Sequence, residues 1–164
     1  MEQGGSAQKG RAICAAVLGS AALVAYSIAG AFQTLVWNPL AAAPGATLGE
    51  IHRAMNEAGE SLGAPRVFAW CAVGVALAAA GMIGTVRADT PRTGQVASIY
   101  LAFLVLAAPA HMFVAFTGGM GLADTFATSG GDHAPWGALL YLASGTALVA
   151  LAGIAVWRTK LRHA

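Results

Sequence analysis

Four stretches of this chain, residues 12–36, 67–86, 95–117 and 136–157, contain no Lys, Arg, Asp or Glu. Each reaches the ~20 apolar residues a helix needs to cross a hydrocarbon core about 30 Å thick. In lipid every backbone N–H and C=O must be bonded within the protein, so such stretches fold as helices. The segments between them are too short to be domains. The pattern predicts an all-α membrane protein, an antiparallel four-helix transmembrane bundle in one domain. Composition agrees: 57% of residues are hydrophobic and 10% charged, where a soluble domain carries about 25% charged residues. So few charges cannot cover the surface of a water-soluble fold of this size.

The basic residues predict the orientation. With the N-terminus in the cytoplasm, the inner segments carry Lys9, Arg11, Arg87, Arg92, Arg158, Lys160 and Arg162, and the outer segments only Arg53 and Arg66. The positive-inside rule then places both termini in the cytoplasm of a cell bounded by this plasma membrane. Residues 1–11 read as a polar, disordered cytoplasmic N-terminus and residues 158–164 as a basic cytoplasmic tail. Lys9 and Arg11 before the first run, with Ala29-Gly30-Ala31 inside it, resemble a secretory signal and its cleavage site. The run exceeds the ~7–15 residues of a signal core, so the expectation is an uncleaved first span. Trp37 marks its interfacial end, and Asn38-Pro39 is expected to stop the helix. Arg outnumbers Lys, and Ala and Gly are abundant, which points to a GC-rich bacterial source.

The first outer connection holds a helix-start signal. Thr47 and Glu50 form a T-x-x-E capping box. Leu48, Ile51, Met55 and Leu62 then share one helical face, opposite Glu50, Arg53, Glu57 and Glu60. This predicts a short amphipathic helix, about residues 48–62, lying on the membrane surface or on the outer ends of the spans. Residues 87–94 form a tight inner turn. Gly118, Gly119 and Gly121 read as the start of a flexible second outer loop, and Pro135 opens the fourth span.

His111 is the only side chain of the third span that ionises near neutral pH. An ionisable group at membrane depth faces the bundle and is a functional candidate by default. It shares a face with Leu104, Ala108, Ala115 and Gly118, small enough for another helix to approach. Pro109 leaves the Val105 carbonyl without its helical donor. A single histidine satisfied by a neighbouring span is the simplest outcome. The sharper one joins His111 to groups on the same side, His52, His133, Asp132, Asp124, Glu50 and Glu57. A set centred on His111, His52, His133 and Asp132 would offer ligands to a divalent metal or a small polar molecule. The fixed spacing of zinc motifs is missing, and Asp132 and His133 are adjacent, so one of them at most points at a given centre.

Several function classes are disfavoured. Bis-histidine haem needs two histidines at one depth in facing helices, and the spans hold one. Proton-coupled transport uses a chain of intramembrane ionisable groups, and the inner half of the bundle has none. Cys14 and Cys71 sit at different depths and read as free thiols, with no C-x-x-C pair for redox work. No basic stripe suits nucleic acid, and no Lys follows the glycine cluster to make a phosphate loop. The first expectation is therefore a non-enzymatic membrane protein without a cofactor, an accessory, scaffold or assembly subunit. Its partners would be the lipid bilayer and another membrane protein or a second copy. They would meet the small-residue faces Ala76/Ala80/Gly84 of the second span or Ala143/Gly145/Ala147/Gly153 of the fourth. The alternative is an outward-facing metal or polar-ligand site, in a binding protein or enzyme, centred on His111.

Overall fold

The structure is a computed structural model that describes residues 2–163, with side chains described for residues 5–160. The described residues are helical apart from short connections and contain no strand. The helices are α1 (Glu2–Phe32), a π-helical turn (Gln33–Trp37), α2 (Asn38–Ala42), α3 (Leu48–Glu57), α4 (Ala64–Arg87), α5 (Thr93–Phe126) and α6 (Gly137–His163). Four helical segments, Gly5–Ala42, Ala64–Arg87, Thr93–Phe126 and Gly137–Lys160, are long and apolar enough to cross a membrane. They form the antiparallel bundle the uncharged runs predict. The helical ends Ala7, Gln8 and Arg11 line one cleft with Arg92 and Thr93, and Arg158 sits against Gly94. The start of α1, the α4–α5 turn and the end of α6 thus share one end of the bundle. The connections holding α3 and residues 127–136 share the other, called the loop end below.

In the packing, α1 and α5 form the centre, α4 lies against both, and α6 rests chiefly on α5. Glycines set the close approaches. Tyr100 of α5 fits between Gly19 of α1 and Gly81 of α4; a Cβ on Gly81 would stand 2.6 Å from its hydroxyl oxygen. That hydroxyl donates to the Ala78 carbonyl at 3.1 Å and meets Ser20 Oγ at 2.7 Å. One phenol therefore ties three helices together where water is absent. Ser144 of α6 donates to the Leu104 carbonyl at 2.7 Å, one residue from the Val105 carbonyl that Pro109 deprives of its donor. The hydroxyls of Ser144 and Tyr26 also meet, at 3.2 Å.

Four sequence expectations shift. Helix begins at Glu2, so the polar residues expected to be disordered extend α1, apart from Met1, which lies outside the described residues. At the other terminus α6 runs on through the basic residues to His163. Pro39 does not stop the first span. It has no N–H for the Leu35 carbonyl and its ring would clash there. The preceding turn widens to π spacing, with the Asn38 N–H bonded to the Gln33 carbonyl, and helix continues to Ala42. Finally, Gly118, Gly119 and Gly121 are buried in α5 and do not start a loop. A Cβ on Gly118 would stand 2.9 Å from the Leu62 carbonyl oxygen, and one on Gly121 3.0 Å from Met55 Cε. Their missing side chains let the chain around α3 press on the last turns of α5.

That contact makes a small second core at the loop end: Ala42, Ala43, Ile51, Met55, Leu62 and Leu122. The apolar face of α3 is spent on the bundle, which chooses between the two placements its amphipathic pattern allows. The capping box is present, shorter-lived in sequence than expected because α3 stops at Glu57. The Thr47 N–H donates to Glu50 Oε2 at 2.7 Å and the Thr47 hydroxyl does so at 2.8 Å. The backbone bond, then the hydroxyl bond, hold the Glu50 carboxyl below its ordinary value of 4.5. A lowered folded value means the cap's contribution is full above pH 4.5 and is lost as pH falls through that lower value. Thr47→Ala is expected to weaken the start of α3 by roughly 0.5–2 kcal/mol at neutral pH. Amide exchange over α3 at neutral and acidic pH checks this; equal protection in both proteins would contradict it.

Candidate functional site

The site grows from the π turn. Widening the helix at Gln33–Trp37 rotates Gln33, Thr34 and Asn38 inwards, and all three are buried. π turns occur often at functional positions. Facing them from α5 is His111, only 2% exposed. Its Nε2 lies 3.0 Å from the Gly30 carbonyl oxygen and 3.0 Å from Thr34 Oγ1. A carbonyl only accepts, so the bond to Gly30 places the proton on Nε2. The Thr34 hydroxyl also donates to the Gly30 carbonyl, at 3.1 Å. Two side chains therefore converge on one α1 carbonyl. The imidazole stacks obliquely on Trp70 of α4, ring centres 5.2 Å apart. Gly30 is what admits the two rings: a Cβ there would stand 2.6 Å from Trp70 Cη2 and 3.0 Å from His111 Cδ2.

One turn nearer the loop end, the polar lining changes from histidine to carboxylate. Gln33 Nε2 donates to Asp132 Oδ1 at 3.2 Å, and the Tyr141 hydroxyl reaches Asp132 Oδ2 at 3.4 Å. Asp132 lies beside the first turn of α6, where the helix dipole favours negative charge; a Cβ on Gly137 would stand 2.7 Å from Oδ2. Asp132 is also within electrostatic reach of His111. The next residue is held separately: the His133 N–H donates to Asn38 Oδ1 at 2.6 Å. These bonds dock the residue 127–136 loop on the π turn. Between them opens a cavity of about 170 Å³, lined by Thr34 and Asn38, by Met112, Ala115 and Phe116 of α5, and by Asp132 and Tyr141.

Two buried polar atoms have no partner among the described residues, Gln33 Oε1 and Thr117 Oγ1. A buried acceptor left open costs on the order of 1–3 kcal/mol. Gln33 is 1% exposed, so its amide donates to Asp132 while its carbonyl oxygen waits for a donor.

The four residues singled out from the sequence do not converge. His111 and Asp132 share this corner. His133 turns its Nε2 to the Ser129 carbonyl at 2.9 Å, away from Asp132. His52 is exposed on α3, beside a separate apolar groove with Leu48, Phe32 and Phe68. Asp124 and Glu57 are exposed, and Glu50 is spent on its own helix cap. Among the described residues no three His, Cys, Asp or Glu side chains gather as a metal would require. Cys14 and Cys71 are free thiols, Cys14 on the outside of the bundle. Gln33, Thr34, Asn38 and Tyr141 were not anticipated. Their only signal is that Gln33 and Thr34 are polar residues within an apolar run, with Asn38 one further turn on. The chain matches no protein-family model, and no curated protein or solved structure is significantly similar to it.

Proposed function

We propose that this is a multi-pass plasma-membrane protein, with both termini cytoplasmic, that binds a small polar ligand at its outward-facing loop end. The observation that carries this reading is the cavity itself. Polar side chains from the π turn, residues 127–136 and α6 converge on it, and a buried acceptor beside it is left open. Stabilising the fold alone does not call for an open cavity at that point. Nothing in the site activates a nucleophile: its hydroxyls are engaged with carbonyl or carboxylate oxygens, and its histidine is bonded to backbone. Binding without chemistry is the simpler assignment.

A pocket-filling variant tests it. Ala115 lines the cavity from α5, so Ala115→Trp would occupy the space. Purified protein in lipid nanodiscs would be screened for thermal stabilisation by small cationic, neutral and anionic polar compounds. At least one class is expected to stabilise the natural protein and to leave Ala115→Trp unchanged. Silence across all three classes would overturn the reading.

A second reading is supported by another observation. Gly84, Gly145 and Gly153 have open space where a Cβ would stand, and Ala76 and Ala80 are exposed. These small-residue faces are unused within the chain and suit a helix of another subunit. Purification in mild detergent would return a complex or oligomer under this reading; a solitary monomer counts against it.

A further inference from the structure

We propose that the loop-end cavity takes a small primary ammonium compound, with Asp132 as its counter-charge. The proposal rests on the ligand-binding reading above and names the ligand's class. The first argument is the sign of the charge. Among the described residues, Asp132 is the only charged side chain lining the cavity. Its two bonded partners, Gln33 and Tyr141, are neutral donors. Neither partner brings a positive charge to the carboxylate. The cations near the loop end are elsewhere: Arg53 is exposed on α3, and Arg66 packs against Gly63. His111 directs its Nε2–H to the Gly30 carbonyl. An anion would meet an uncompensated carboxylate; a cation completes a charge-assisted bond.

The second argument is the hydrogen-bond inventory. Thr34 spends its proton on Gly30, Tyr141 and Gln33 spend theirs on Asp132. What remains on the lining at Asp132 is acceptor capacity, the carboxylate lone pairs. A group with several N–H donors answers that set, and an ammonium carries three. The Asn38 amide, whose oxygen is taken by the His133 N–H, keeps its NH2 donor for one acceptor on the ligand, such as a hydroxyl. The third argument is size. The space of about 170 Å³ opens to the surface, and it accommodates the ammonium head with a few carbon atoms. Met112 and Phe116 supply an apolar wall for its carbon atoms.

The test uses the full chain in nanodiscs with ligand-observed NMR. The probes are ethanolamine and ethylammonium, acetamide as a neutral compound, acetate as an anion, and Mn2+. Ethanolamine and ethylammonium are expected to bind, ethanolamine the tighter. Asp132 is exposed, so its ion pair is screened by solvent; Asp132→Asn preserves shape, removes the charge and is expected to weaken both by about 2- to 5-fold. Ala115→Trp should abolish binding. Circular dichroism identical to the natural protein establishes that the variants fold, and Asp124→Asn, which removes an exposed carboxylate that does not line the cavity, should leave binding unchanged. If acetamide, acetate or Mn2+ binds in the cavity and the amines do not, the ammonium assignment falls while the ligand-binding reading stands. Equal amine affinity in Asp132→Asn overturns the assignment as well. If no probe binds the natural protein, both fall.

Discussion

Gly30→Val is expected to cost roughly 2–3 kcal/mol and to pull α1 away from α4 and α5. The added Cβ would overlap the Trp70 ring at 2.6 Å and press on His111 at 3.0 Å. His111 is buried, and Trp70 is only partly exposed. Trp70 is wedged against Tyr26, ring centres 6.4 Å apart, and His111 is bonded to the very residue that grows. Overpacking of a tight core costs about 1–3 kcal/mol. This position sits at the upper end because one substitution also breaks the His111 bond. Thermal unfolding in nanodiscs measures the loss, and Trp fluorescence reports the displaced Trp70. Gly84→Val is the matched control: nothing lies within 4 Å of a Cβ there. Equal stability of the two variants would mean that α1 and α4 do not approach as described.

His111→Leu is expected to cost about 1–2 kcal/mol. Interhelical hydrogen bonds in membrane bundles average only about 0.6 kcal/mol and reach about 1.7. The Gly30 carbonyl keeps the Thr34 hydroxyl as a donor, so it is not orphaned, which limits the loss. Against that, the imidazole is buried and its contact with Trp70 goes too. His111→Gln restores a donor of similar reach and should recover part of the stability. A purely steric role predicts that Leu and Gln behave alike; a bonding role predicts that Gln is the better replacement. Ligand binding in the cavity should survive both, because His111 stands behind Thr34 and does not line it.

Both effects act where the sequence was most and least informative. The four uncharged runs, the Thr47–Glu50 box and the buried side of His111 follow from local physics: lipid excludes charge, caps have fixed spacing, and a buried imidazole needs a partner. Ala108, His111 and Gly118 lie buried on one face of α5, as their spacing requires. The small-residue pattern of α4 was ambiguous because small residues occupy more than one face. The bundle uses Gly74, Gly81 and Ala78, and leaves Ala76, Ala80 and Gly84 outside. A four-residue repeat cannot choose between them without knowing where Tyr100 and Ser27 stand. The π turn was hidden because Asn-Pro reads as a stop; in the fold Pro39 and Ala42 are buried beyond it, and Ala42 joins the loop-end core. The pairing of Gln33 with Asp132 joins residues 99 apart in sequence. No local pattern specifies that contact.

Ligand binding from outside requires the loop end to be a water-facing surface on the outer side of the cell. Cysteine labelling tests this directly, in a background with Cys14 and Cys71 replaced by Ala. Gly131 lines the cavity and is exposed, and Thr159 is exposed at the opposite end. Gly131→Cys should react with a membrane-impermeant maleimide in intact cells, and Thr159→Cys only after permeabilisation. Labelling of Thr159→Cys in intact cells, with Gly131→Cys protected until the membrane is opened, would contradict the account.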